Sequence, residues 1–263
     1  VNARNDAERE ATALVLGSDV VGSAVAHALH RLRWDVVLID EIDPPGPWRG
    51  MSFVNAWYLG TSELAGVAAC FCSSVKSIPA VLHRQNLIAA TSWSWLGVAA
   101  ALYPEVVIDT RGADGGNPEA LRLRAPEGLL TLGCGPEEKP GDHVDVAIPT
   151  DPIAPAGTLL RAPRSGRMRT LLRIGDTVKA RDPVGDVNGE PVTATLDGVM
   201  RGLSARGARV ASGQIVAEID PRGQPFLCHG IDPRAAAIAA AVVEALRTRG
   251  LMRDPDGAYR SAA

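Results

Sequence analysis

The apolar run ALVLG ends at Gly17, and Ser18, Asp19 and Gly22 follow before a helical pattern begins. A glycine turn between a strand and a helix can cradle phosphate, because its backbone N–H groups and the helix N-terminus point at the anion. Gly17, Ser18 and Gly22 are therefore candidate cofactor-binding residues. Asp40, at the end of the next apolar run DVVLID, is placed to meet a ribose hydroxyl. Asp19 stands at the second glycine of that fingerprint, where backbone and pyrophosphate must approach closely. A negative side chain there opposes the phosphate. The expectation is a dinucleotide-type fold with an altered or empty pocket, with dinucleotide binding as the alternative.

A second candidate group is Gly133, Cys134 and Gly135, a glycine loop directly after an apolar run. Ligand loops in open α/β sheets sit at that end of a strand. The thiol is a candidate sulfur or metal contact, against the alternative of a tight turn with an incidental cysteine. Asp109, Arg111 and Asp114 close another strand and read either as ligand contacts or as loop-capping charges. The remaining polar types give less. Cys70, Cys72, Cys134 and Cys228 match no zinc or iron–sulfur spacing. His27 and His30 share a helix face without a carboxylate partner. No serine lies in a G-x-S-x-G turn. No catalytic and no metal-binding residue is assigned.

The elements that must position these residues alternate strand and helix. ALVLG, VVGSAVAHALHRL and DVVLID form a βαβ unit. LAGVAACFC (64–72) and IPAVL (78–82) read as strands, 92–102 as a helix, and PEVVIDTR, LLTLGCGP and DVAIP as further strands. This predicts a Rossmann-like parallel-sheet α/β domain over 13–150, after a polar tail at 1–12. A Pro-rich linker is expected at 151–160, and a C-terminal helix and tail at 226–263. Asp232 is expected to cap that helix, with Pro233 in its first turn.

Between linker and helix the chain repeats itself. RAPRSGRM from Arg161 and TATLDGVM from Thr193 align at an offset of 32 residues without a gap. Gly166/Gly198, Met168/Met200, Gly175/Gly207 and Val184/Val216 all match. Asn188-Gly189 between the halves is a hairpin signal. Two short β halves around one hairpin resemble a lipoyl or biotinyl barrel-sandwich, expected here over 161–225. The hairpin of such carriers bears the modified lysine. Here it is VNGEP, and the nearest lysine, Lys179, lies in another turn.

At 263 residues, 46% hydrophobic and 22% charged, the chain suits a globular protein with a sizeable core. The net charge of -3 with mixed signs gives no basic stripe for nucleic acid. No membrane insertion is expected, and a cytoplasmic protein is the resulting expectation.

The sequence resembles the YqeB-like accessory proteins of the selenium-dependent molybdenum hydroxylase system. Its first half is distantly similar to maturation factors of xanthine and carbon monoxide dehydrogenases. The strongest match is LRAPRSGRMRTLLRIGDTVKARDPVGDVNGEPVTATLDGVMRGL, followed by IDPRG. Weaker matches are VAHALHRL, MSFVNAWYLG, PEVVIDTR and LGCGPEEKPGDHVDVAIPT. The family turn GAGDLATG is here GSDVVGSA, and a polar Arg/Gly/His segment after the aspartate-rich strand is missing. The resemblance implies an accessory or maturation protein that binds a molybdenum hydroxylase-type client or its cofactor, molybdopterin or a dinucleotide. It implies no independent catalytic activity. The alternative is a non-catalytic interaction or structural subunit with a degenerate nucleotide fold. Homo-oligomerisation is left open.

Overall fold

The structure is a computed structural model that describes residues 11–84, 86–114, 120–150 and 155–252. It is an α/β fold with one mixed eight-stranded sheet, two four-stranded antiparallel sheets and a C-terminal helix.

The large sheet uses β1 (Thr12–Leu16), β2 (Asp35–Ile39), β3 (Thr61–Leu64), β4 (Val67–Phe71), β5 (Ile88–Thr91), β6 (Val106–Asp109), β7 (Leu130–Cys134) and β8 (Val146–Ile148). Their order is β3-β4-β5-β2-β1-β6-β7-β8. All neighbours are parallel except β3 and β4. Every residue of β1, β2 and β6 is buried, as a sheet covered on both faces requires. The two-residue period of β1 divides its side chains. Ala13 and Val15 join one core with α1 (Val20–Arg31), and Leu14 and Leu16 join the other. That second core includes Trp95 and Val98, from α3 (Trp95–Leu102), and Leu121, from α4 (Leu121–Arg124). α2 (Asn55–Leu59) leads into β3.

Residues 64–72 form a hairpin edge rather than the single strand expected. Ala65 and Gly66 both take positive φ, 47° and 79°, and turn the chain between β3 and β4. Residues 78–82 are not a strand either. Ala80–Arg84 is a turn of π-helix whose Val81 and Leu82 pack into the second core.

The two small sheets contain β9 (Thr158–Arg161), β10 (Gly166–Arg169), β11 (Thr177–Val178), β12 (Pro183–Val187), β13 (Glu190–Thr193), β14 (Gly198–Leu203), β15 (Arg209–Val210) and β16 (Ile215–Asp220). Their orders are β13-β12-β10-β15 and β11-β14-β16-β9. Shifting each strand by 32 residues converts one sheet into the other, and Met168 and Met200 are both fully buried between them. β9 occupies Thr158–Arg161, so the stretch expected as linker, 151–160, ends inside a sheet. Residues 151–154 lie outside the described residues, as do 1–10 of the expected tail and 253–263 at the C-terminal end.

α5 (Pro233–Thr248) begins at Asp232, whose carboxylate accepts from the Arg234 N–H, with Pro233 in the first turn. Pro225–Thr248 is long and apolar enough, by length and composition alone, to cross a membrane. In this fold Ala235, Ala239, Val242 and Leu246 recur every three or four residues and are buried in the core shared with α1.

Candidate functional site

The carboxyl edge of β1, β2 and β6 opens into a cleft of about 430 Å³. Gly17, Ser18, Asp19, Asp40, Glu41 and Arg111 line one wall, and the loop Pro44–Trp48 with Gln214 and Ile215 of the β unit lines the other. Three predicted residues meet here, and a fourth shapes the turn. Gly17 takes φ +100°, which an L side chain rarely adopts. A Cβ on Gly22 would lie 1.9 Å from the Gly17 carbonyl oxygen, so only glycine lets α1 approach the turn so closely. Thr110 braces the turn from the end of β6, donating from its Oγ1 to the Leu16 carbonyl.

The hydrogen bonds of the turn point inward. Asp40 Oδ2 accepts from both the Ser18 N–H at 2.7 Å and the Ser18 Oγ at 2.6 Å. Its Oδ1 accepts from the Glu41 N–H. Asp19 caps α1, accepting from the Val20 N–H, and its carboxylate lies against Gly46. A phosphate here would meet an amide already taken by a carboxylate, and a second carboxylate beside it. Dinucleotide and molybdopterin both carry phosphate, and this donor set does not fit one. Burial pushes the Glu41 carboxyl upward, reinforced by Asp40 and Asp43. Burial also pushes the Tyr58 phenol upward, with Asp43 adding to it, and that hydroxyl donates to the Pro44 carbonyl.

Gly133, Cys134 and Gly135 do not line this cleft. They lie at the end of β7, where Gly133 pairs in register with Asp109. Cys134 is fully buried in the core shared with α1, and burial drives its thiol far upward. It offers no thiolate to a ligand. Gly133 and Gly135 make room for their neighbours: a Cβ on Gly133 would meet the Glu138 carboxyl at 2.5 Å, and one on Gly135 would meet the Gly112 backbone at 2.9 Å. Asp109 is buried and held by Arg111 through two side-chain bonds of 2.9 and 2.6 Å. That is the capping alternative for these charges. The Asp114 side chain lies outside the described residues. His27 and His30 remain on α1, and the His27 imidazole reaches the Ala65 carbonyl. Among the described residues, no group of three or more His, Cys, Asp or Glu is placed to hold a metal ion.

Sequence reasoning missed two features. Glu138 is buried beside β7 with neither carboxylate oxygen hydrogen-bonded, and burial, then Asp109, pushes its carboxyl upward. The second feature is a buried charge cluster between the units. Arg201 reaches Glu218 at 2.8 Å and Asp232 at 3.1 Å. Glu218 also accepts from the Trp48 indole and the Gly157 N–H. Around it the Pro-rich loop grips β14. The Leu203 N–H donates to the Pro47 carbonyl, Arg49 Nε donates to the Leu203 carbonyl, and the Ser204 hydroxyl donates to the Pro45 carbonyl. The one hint in the sequence was the tryptophan and arginine set among prolines in DPPGPWRG.

No protein-family profile matches the chain. It is 26% identical over 258 residues to the Escherichia coli "Uncharacterized protein YqeB", covering 89% of this chain and 47% of that protein. The match supports a distant family relationship, and the chain spans about half the length of the curated relative it matches. Among solved structures, similarity is found to a succinylglutamate desuccinylase/aspartoacylase from Rhodobacter sphaeroides. That match is 14% identical, with a TM-score of 0.23, covering 74% of this chain and 61% of that one. An aspartoacylase family protein from Mesorhizobium loti gives 14% identity and a TM-score of 0.25, covering 80% of this chain and 85% of that one. Scores this low carry no argument about fold or activity.

Proposed function

We propose that the chain is an accessory protein of a molybdenum hydroxylase-type enzyme, acting in the cytoplasm by contact with its client rather than by a reaction of its own. The observation that carries the contact reading is the Asp40 carboxylate bound to the Ser18 amide and hydroxyl. It engages the Ser18 amide of the glycine turn, and Asp19 beside it adds a second negative group where an anion would approach. The large sheet is on this reading Rossmann-like, and the paired small sheets are a lipoyl-like barrel-sandwich. The strand equivalence at 32 residues supports the second assignment. The hairpin at Asn188-Gly189 carries no lysine, so the unit is read as a docking module and not a carrier.

The client class rests on the sequence motifs alone, so the test has two arms. Calorimetric titration with NAD+ and with ADP is expected to show no saturable heat. Affinity purification of the tagged full chain from its host, read by native mass spectrometry, is expected to bring down a molybdenum hydroxylase. Saturable micromolar dinucleotide binding would overturn the contact reading. Reproducible capture of an unrelated enzyme class would overturn the client.

A further inference from the structure

The two ends of the β unit share turn hydrogen bonds but not charge. The 32-residue shift carries the Arg181 N–H bond to the Ala194 carbonyl onto that of Gly213 to Ala162, and the Gly175 bond to Met200 onto that of Gly207 to Met168. Strand register follows: Val178 faces Gly198 where Val210 faces Gly166, and Thr177 faces Val199 where Arg209 faces Arg167. The side-chain caps of the turns are also kept, with different chemistry. Asp182 accepts from the Lys179 N–H and Asp197 from the Ala180 N–H. Their counterparts are Gln214, which accepts from the Ala211 N–H, and the Ser165 hydroxyl, which accepts from the Ser212 N–H. A third cap, Asp176 on the Arg173 N–H, has Ala208 as its counterpart.

Basic residues change in the opposite direction. The end with neutral caps carries Arg161, Arg164, Arg167, Arg206 and Arg209, all exposed. The other end has Thr193, Leu196, Val199, Ile174 and Thr177 at those positions, and it balances Arg173, Lys179 and Arg181 against its three aspartates. Like charges directly opposite each other on paired strands are destabilising, and Arg167 and Arg209 are such a pair. One carboxylate serves both: Asp43 Oδ2 lies 3.8 Å from Arg167 and 3.4 Å from Arg209. Arg164 and Arg206 form no ion pair among the described residues. Beside them a cleft of about 990 Å³ separates the β unit from Glu41–Asp43, and its β-unit wall holds Ser165, Arg209, Ser212 and Gln214.

We propose that this arginine face docks an acidic segment of a partner protein, whose carboxylates are bound by Arg164, Arg206 and the Arg167–Arg209 pair. Charge complementarity names the occupant. Asp43 shows that a carboxylate on a proline-flanked loop is accommodated at the pair, and its distances are too long to saturate both guanidinium groups. Each guanidinium presents a planar fork that matches a carboxylate. Glu41 and Asp43 on the facing wall turn the carboxylates of the segment toward the β unit. The cleft has no aromatic ring on which a nucleobase could stack, which favours a protein segment over single-stranded nucleic acid. The inference builds on the contact reading and does not depend on which enzyme is the client.

The probe is a fluorescein-labelled decapeptide of alternating Asp and Pro, titrated with the full chain and followed by anisotropy, with the decapeptide of alternating Asn and Pro as control. Saturable binding of the Asp peptide alone is expected, weakening as salt rises. Arg164→Gln/Arg206→Gln should weaken it about fivefold, since each exposed ion pair contributes only part of a tenfold step. Arg173→Gln/Lys179→Gln removes the same charge from the other end and should leave binding unchanged. Asp43→Asn should tighten binding, because it frees Arg167 and Arg209. Unchanged thermal unfolding of the double variants shows that the unit stays folded. Absence of saturable binding overturns the proposal, as does equal loss in both double variants or no gain in Asp43→Asn. Tighter binding of a deoxythymidine decamer than of the Asp peptide overturns the stated occupant in favour of single-stranded nucleic acid. Concentration-dependent dimerisation abolished by Arg164→Gln/Arg206→Gln, without peptide binding, overturns it in favour of a second copy of this chain.

Discussion

Arg201→Met tests whether the charge cluster between the units holds them together. Glu218 is fully buried and Asp232 nearly so, and Arg201 is their shared cation. Removing one partner of a buried ion pair costs about 3–5 kcal/mol, mostly because a charge is left desolvated and unpaired. Glu218 keeps two donors, the Trp48 indole and the Gly157 N–H, which places the loss near the lower end. For a chain of this size about 3 kcal/mol lowers the melting temperature by roughly 6–12 °C. Urea unfolding read by circular dichroism gives the free energy, and differential scanning fluorimetry gives the temperature. The decisive comparison is the double variant Arg201→Met/Glu218→Gln. The amide introduced by Glu218→Gln removes the stranded charge and keeps one acceptor oxygen, although its NH2 gives up either the Trp48 or the Gly157 bond, so the double variant should recover part of the loss relative to Arg201→Met. A single variant that loses less than ~1 kcal/mol, or a double variant no more stable than the single, refutes the reasoning.

Gly22→Ala puts a methyl group 1.9 Å from the Gly17 carbonyl oxygen. It should destabilise by more than the ~1–3 kcal/mol usual for overpacking, seen as loss of soluble expression or a lowered melting temperature. Cys134 should resist iodoacetamide in the native protein at about pH 8 and react only after denaturation, as peptide mass mapping will show, because burial holds its thiol far above the ordinary range. Glu138 binds its proton more tightly folded than unfolded, so the folded state is favoured at low pH and penalised as pH rises from the ordinary carboxyl value of 4.5 through the raised folded value. Glu138→Gln should therefore stabilise the protein at neutral pH, with the gain shrinking as pH falls toward 4.5; urea unfolding of both proteins across that window checks the sign.

The sequence was most legible where one period or one repeat decides the structure. β1, α1 and β2 follow directly from the apolar pattern around Gly17. The duplication was visible because each half keeps the same turn glycines and the same core methionine. The hairpin at Ala65-Gly66 was hidden because alanine is not a residue expected at positive φ, so two strands read as one. Residues 78–82 misled for a different reason: five largely apolar residues fit a strand or a buried helical turn equally well. At the candidate site the glycine turn and Asp40 were found together, yet their relation was not. The sequence places Asp40 for a ribose hydroxyl but carries no sign that its carboxylate accepts from the Ser18 amide and hydroxyl. Arg201, Glu218 and Glu138 gave no signal, because burial and partnership between distant parts of the chain leave no local pattern.

β9 and β16, the first and last strands of the β unit, lie side by side. Gly157, just before β9, is so close to the Ile219 carbonyl that a Cβ there would sit 2.1 Å away. The chain leaves the large sheet, makes its β excursion, and re-enters at α5 to complete the core beneath α1. A carrier domain swings because one tether leaves it free to rotate. A unit held by both ends at one seam, with Trp48 and Arg201 pinned across it, has no such rotation. Whatever it presents to a partner is presented in a fixed direction relative to the sheet.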